Sequence, residues 1–147
     1  ITYGDWSSDV CSSDLNPKNI IYQGFRYFNV YGPHEDHKGD QASPYHKFEK
    51  QAKETGVIKL FEGSDNFYRD FVHVDEVINI HKRFFDIPVS GIYNVGTGRA
   101  TSFEDVARMI ADRYSAKITH CKMPEILKDS YQKYTCANMS KTIAALS

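Results

Sequence analysis

The sequence predicts an α/β fold, because short runs rich in β-branched and aromatic residues alternate with segments whose apolar residues recur at helical spacing. Ile20 to Val30 is such a run. It closes on Tyr31-Gly32-Pro33, a turn signal, and so reads as a buried strand. His34 to Gly39 is a polar loop with charges of both signs. Ser43 to Thr55 has helix-forming composition and stops at Gly56, a residue suited to the left-handed helix end. Val57 to Phe61 reads as a short strand and Glu62 to Asn66 as a polar turn. Asp70 to Val74 is a further strand. Asp75 stands at an N-cap position, and Val77, Ile80, His81 and Phe84 follow on one helical face. Gly91 to Val95 is a strand closed by Gly96-Thr97-Gly98. Thr101-Ser102-Phe103-Glu104 has capping-box form and opens a helix with Val106, Ala107, Ile110, Ala111 and Tyr114 on one face. Ile118 to Met123 reads as a strand, and a last helix starts at Ser140.

A chain of 147 residues can bury a core, and its net charge of −1, with no dense basic block, argues against a nucleic-acid partner. Ten Tyr and nine Phe point to a ring-rich core or to a pocket that stacks flat ligands. No stretch has the apolar length of a membrane span, and the first residues do not form a signal peptide. Cys11, Cys121 and Cys136 lack C-x-x-C spacing. They read as free thiols of a cytoplasmic protein, and His120 beside Cys121 has no second pair to complete a metal site. Asp5 to Leu15 repeats Ser-Ser-Asp without any strand or helix period, and resembles the translation of a DNA-sequencing adapter. Residues 1–15 are therefore expected to be non-native, or else a disordered Ser/Asp-rich tail.

Three strings, in this order and spacing, carry a resemblance. They are Phe25-Arg26-Tyr27-Phe28-Asn29-Val30-Tyr31-Gly32-Pro33, Arg69-Asp70-Phe71-Val72-His73-Val74-Asp75-Glu76-Val77 and Tyr93-Asn94-Val95-Gly96-Thr97-Gly98, the last followed by a capped helix. Together they resemble the extended short-chain dehydrogenases/reductases, the sugar-nucleotide epimerases and dehydratases. His37-Lys38-Gly39, Leu60-Phe61-Glu62-Gly63-Ser64 and Arg99-Ala100 narrow the likeness to the ADP-glycero-manno-heptose 6-epimerases of lipopolysaccharide biosynthesis. The resemblance implies the C-terminal part of an extended Rossmann-type fold. Residues 16–37 would be the last of the dinucleotide-binding domain, and 38–147 mainly a truncated substrate-binding domain.

It also implies a chemistry. A hydroxyl-bearing carbon has no acidic hydrogen, so inversion requires hydride removal to a nicotinamide, here NADP or NAD, and return to the opposite face. A positioned acid/base must serve the oxygen. The resemblance gives that role to Lys38, in contact with the cofactor, and a second cofactor contact to Val30. Local sequence alone allows a solvated loop lysine. An ADP-sugar would be held by Asn29, Asp40, His46, Lys47, Phe61, Glu62, Gly63, Ser64, Arg69 and Tyr131, with the planar fork of Arg69 on the diphosphate. Asp40 departs from the small hydroxyl residue common after His-Lys-Gly, and His46 and Lys47 compete for one contact. No Tyr is followed four residues later by Lys. Gly96-Thr97-Gly98 comes too late, and with Thr101 at the third glycine position, to be the dinucleotide fingerprint. The chain alone is therefore expected to be inactive, with a homo-oligomer implied for the whole enzyme. Two other readings stay open, a different nucleotide-sugar epimerase or dehydratase and a non-catalytic sugar-nucleotide-binding module.

Overall fold

The computed structural model describes residues 20–125 and 131–147. The expectations for residues 1–15 lie outside the described residues. The elements are β1 (Gln23–Tyr27), β2 (Asn29–Tyr31), a 3-10 segment (Asp36–Gln41), α1 (Pro44–Thr55), β3 (Val57–Phe61), a 3-10 turn (Ser64–Asn66), β4 (Tyr68–Arg69), β5 (Phe71–His73), α2 (Val74–Phe84), β6 (Gly91–Val95), β7 (Thr101–Ser102), α3 (Phe103–Tyr114), β8 (Lys117–Cys121) and α4 (Ser140–Leu146). Strands and helices alternate, as an α/β protein requires.

Pairing is parallel between β1 and β6, β2 and β5, and β3 and β8, and antiparallel between β4 and β7. The strand expected from Ile20 to Val30 is two strands. The Phe28 N–H donates to Val95 O at 3.0 Å and the next amide, Asn29, donates to Asp70 O at 3.0 Å. The backbone thus leaves β6 and joins β5 within one residue. The run is also less buried than expected. Ile20, Ile21 and Tyr27 are exposed, because β1 has one neighbouring strand among the described residues.

Two apolar clusters hold these pieces. One joins Phe48 and Ala52 of α1, Ile58 and Leu60 of β3, and Phe103, Val106, Ala107, Ile110 and Ala111 of α3. Alternation along β3 puts Ile58 and Leu60 inward and leaves Lys59 exposed. Truncating a fully buried residue such as Ile110 to Ala would cost about 2–5 kcal/mol. The other cluster joins Ile80 and Phe84 of α2 to Tyr93 and Val95 of β6, with Phe25 packed against them.

The helix caps depart from the sequence reading in two places. His73, not Asp75, caps α2: its Nδ1 accepts from the Asp75 N–H at 3.2 Å, and Asp75 sits in the first turn. An imidazole nitrogen can serve as a cap acceptor as a carboxylate does, and the strand ends one residue earlier than expected. For α3 the capping box is shifted by one residue. Ser102 Oγ accepts from the Asp105 N–H and donates to Asp105 Oδ2, which frees Glu104 for a partner elsewhere. Ser43 caps α1, and Gly56 ends it at φ 67°.

Candidate active site

Arg69 is the most constrained of the candidates. β4 carries it between β7 on one side and residues 133–135 on the other, where Tyr68 N–H donates to Lys133 O and Thr135 N–H donates to Tyr68 O. Its guanidinium lies 5.5 Å from the Phe103 ring centre and 5.4 Å from that of Tyr131, and Nη1 donates to Tyr68 O. Burial pushes the guanidinium's pKa down, partly offset by Tyr131, and burial pushes the Tyr131 hydroxyl up, partly offset by Arg69. Among the described residues no carboxylate forms an ion pair with Arg69. A buried guanidinium flanked by rings has the planar donor fork that suits a diphosphate.

Beside it lies a cavity of about 290 Å³ lined by Pro44, Lys47, Phe61, Ser64, Phe103 and Tyr131, among others. Lys47, the Phe61–Ser64 string and Tyr131 come from three separate stretches of sequence, and the fold brings them together here. Phe61 arrives as the end of β3. Gly63, at φ 83°, turns the chain so that Ser64 drops inward. Glu62 and Gly63 are exposed on the rim. Lys47 reaches back to donate to Asp40 O, which ties this rim to the Asp36–Gln41 segment, while Asp40 itself is exposed. His46 and Lys47 do not share a groove. Lys47 faces this cavity, whereas His46 lines a different groove and sits 3.4 Å from Asp36 Oδ1.

Lys38 lies on the 3-10 segment, with its ammonium partly exposed and 3.4 Å from Glu35 Oε2. Glu35 is buried. Burial opposes its ionisation, but the Ser43 N–H, Ser43 Oγ and Gly32 N–H donate to it and Lys38 stands beside it, so its pKa is lowered. Glu35 thereby holds the Lys38 segment, the Gly32 turn and the α1 cap as one unit. Asn29 and Val30 lie on β2, paired to Phe71 and Val72. Val30 lines an open apolar groove with Tyr27, Val77 and Ile78.

Two carboxylates escaped the sequence reading. Asp70 is fully buried and accepts from the Thr97 N–H (2.8 Å), Thr97 Oγ (2.6 Å), the Gly98 N–H (2.8 Å) and the Ala137 N–H (3.0 Å). A Cβ on Gly96 would stand 2.6 Å from Ala137 Cβ and 2.8 Å from Asp70 Oδ2. The Gly96-Thr97-Gly98 turn is therefore filled by a carboxylate and cannot cradle a phosphate. A single acidic residue inside an apolar strand was the available signal. Glu104, nearly buried, accepts from Ser64 Oγ (2.7 Å) and His120 Nε2 (3.0 Å). Burial opposes its ionisation too, yet His120 and Ser64 outweigh it and lower its pKa.

The family model for the NAD dependent epimerase/dehydratase family matches residues 13–96, from before β1 to the Gly96 turn. The chain belongs to that family. It is 47% identical over 133 residues to the ADP-L-glycero-D-manno-heptose-6-epimerase of Brachyspira hyodysenteriae, covering 88% of this chain and 42% of the relative. The enzyme of the same name from Alkalilimnicola ehrlichii is 46% identical, over 83% of this chain and 40% of the relative. The crystal structure of the Helicobacter pylori ADP-L-glycero-D-manno-heptose-6-epimerase superposes with a TM-score of 0.81 at 31% identity, over 95% of this chain and 42% of that one. The chain thus spans less than half the length of the relatives it matches. The fold class is that of the extended Rossmann-type epimerases, in their C-terminal portion.

Proposed function

We propose that the chain is the substrate-binding portion of an ADP-glycero-manno-heptose 6-epimerase, a cytoplasmic homo-oligomer that makes a heptose precursor of lipopolysaccharide. The observation that carries this is the convergence of Lys47, Phe61, Ser64 and Tyr131 on one cavity beside a buried Arg69 that has no carboxylate partner among the described residues. In this reading the nucleoside occupies the cavity, with Phe61 against the base and Glu62, Gly63 and Ser64 along its edge. Arg69 takes the diphosphate, Lys47 lines the same cavity, and Asn29 and Asp40 lie towards the sugar, with His46 on a different groove. Residues 16–37 close the dinucleotide-binding part. The remainder, mainly substrate-binding, returns to that part through α2 and β6.

A nicotinamide cofactor, NADP or NAD, would supply hydride removal and return at the heptose carbon 6. The chain's own fit to it is limited. The Gly96 turn is occupied by Asp70, and the sequence has no Tyr-x-x-x-Lys. Val30 and Lys38 are the residues that would touch it, in the middle of β2 and on the polar segment that follows. Lys38 would hold or release the proton of the carbon-6 oxygen. Lys38 Nζ stands 3.4 Å from Glu35 Oε2, and exchange of that contact for the substrate's carbon-6 oxygen would place the ammonium to donate.

The test is turnover of the full-length enzyme carrying this chain. Given the carbon-6 epimer of ADP-L-glycero-D-manno-heptose and NADP, it should produce ADP-L-glycero-D-manno-heptose, read by the carbon-6 proton signals in NMR. A dehydrated sugar, a change at carbon 4 or no conversion would refute the assignment.

A further inference from the structure

The sequence reading treated Glu104 as a capping-box carboxylate, and the site as described leaves it without a task. Its surroundings suggest one. Glu104 sits at the start of α3, nearly buried, with Oε2 receiving Ser64 Oγ at 2.7 Å and His120 Nε2 at 3.0 Å, and with Arg108 3.5 Å from Oε1. Ser64 is 3% exposed and lines the cavity of the proposed nucleoside site. An ionised carboxylate only accepts hydrogen bonds, so the serine hydroxyl must spend its single proton on Glu104. What Ser64 Oγ can then offer the cavity is lone pairs.

We infer that Glu104 is a positioning residue that fixes Ser64 Oγ as an acceptor, so that the cavity selects a nucleotide carrying a hydrogen-bond donor at that point. The donor is either the exocyclic amine of the base or a ribose hydroxyl. This rests on the nucleotide reading of the cavity given above. His120, on β8, holds Glu104 from the far side. The arrangement thus joins the Ser64–Asn66 turn, α3 and β8 around one oxygen atom. A site that aims an acceptor at a donor rejects analogues lacking that donor, because the buried acceptor is then left unpaired. A carboxylate with a merely structural role would support the turn but would not create such a preference.

The experiment is calorimetric titration of the chain with ADP, with inosine diphosphate (which lacks the amine), and with 2′-deoxy- and 3′-deoxy-ADP. The wild-type chain should bind ADP roughly three- to tenfold more tightly than one of the three analogues, the range of a neutral hydrogen bond. That analogue identifies the donor. Ser64→Ala and Glu104→Ala should each weaken ADP to the level of the analogue while leaving the affinity for the analogue itself unchanged, and the double variant should be no weaker than either single one. Glu104→Gln, whose carbonyl oxygen can still accept the serine proton, should keep the preference. An equal loss for all four nucleotides in Glu104→Ala, or a preference that survives it, overturns the inference while leaving the nucleotide reading intact. So does a wild-type chain that binds all four alike. A wild-type chain that binds none of them sinks the nucleotide reading, and this inference with it.

Discussion

Replacing Asp70 with Asn should remove a large part of the stability of the fold. Each carboxylate oxygen receives two donors. Oδ1 takes the Thr97 N–H and hydroxyl, and Oδ2 takes the amides of Gly98 and Ala137. An Asn side chain keeps one oxygen and turns an NH₂ group towards the other pair, so two donors lose their acceptor in a fully buried place. Hydrogen bonds to charged groups contribute about 1.5–3 kcal/mol each, so the loss is about 3–6 kcal/mol. Total stability of a domain is about 5–15 kcal/mol, so the variant stands near the edge of folding. Urea unfolding followed by circular dichroism gives the stability difference. Amide hydrogen exchange at Thr97, Gly98 and Ala137 localises it. If Asp70→Asn costs less than about 1 kcal/mol, the worth of one neutral bond, and those amides stay protected, Asp70 is not the joint that holds the Gly96 turn.

Further outcomes are expected. In the full-length enzyme, Lys38→Met should lower turnover by about 10²–10⁴-fold with little change in substrate affinity, as for loss of an acid/base; single-turnover kinetics would expose a pure affinity effect, which would refute that role. Arg69→Ala should weaken ADP binding by about 1.5–3 kcal/mol while leaving adenosine binding nearly unchanged; equal losses for the two in calorimetry would remove Arg69 from the diphosphate. Glu35 and Glu104 both titrate lower in the folded state, so the stability they add is present above the unfolded carboxylate range and is lost as pH falls through their folded values. The unfolding midpoint should therefore drop on acidification through about pH 5 to 3, and Glu35→Gln should flatten that drop. The 147-residue chain alone should show no epimerase turnover with NADP or NAD, and product formed by chain free of host enzymes would contradict this.

The parts of the fold that could be read from sequence are those decided by near neighbours. Val57–Phe61 and Gly91–Val95 were read to the residue because alternation and glycine mark both ends. The α3 face was legible from its helical period. The failures share a different cause. The break at Phe28 depends on which strands lie alongside, and nothing between Tyr27 and Asn29 signals it. Asp70 meets Thr97 across 27 positions, and Ser64 meets Glu104 across 40, so no local window contains either pair. Glu104 was misread because Thr101-Ser102-Phe103-Glu104 satisfies the capping-box pattern, while the fold uses the equally suitable Ser102 and Asp105 one step later. Arg69 and Tyr131 entered the candidate site by resemblance alone. The residue types permit a solvated arginine and a packed ring, and only the assembled fold places one over the other.

The transfer at Phe28 has a consequence for how such chains can change. Asn29 is in register with Phe71, two positions after Arg69, while Tyr27 is in register with Val95, one position before Gly96. A single residue therefore sets the phase between two ladders. Because side chains alternate along extended backbone, adding or deleting one residue there would turn either the Phe25 side or the Asn29 side to the opposite face. The rest of the region would have no slack with which to correct it. Substitutions at Phe28 can be absorbed one at a time, but length changes cannot. Inserted sequence should instead accumulate around residues 85–90, the mostly exposed connection between α2 and β6, where a longer loop shifts no register.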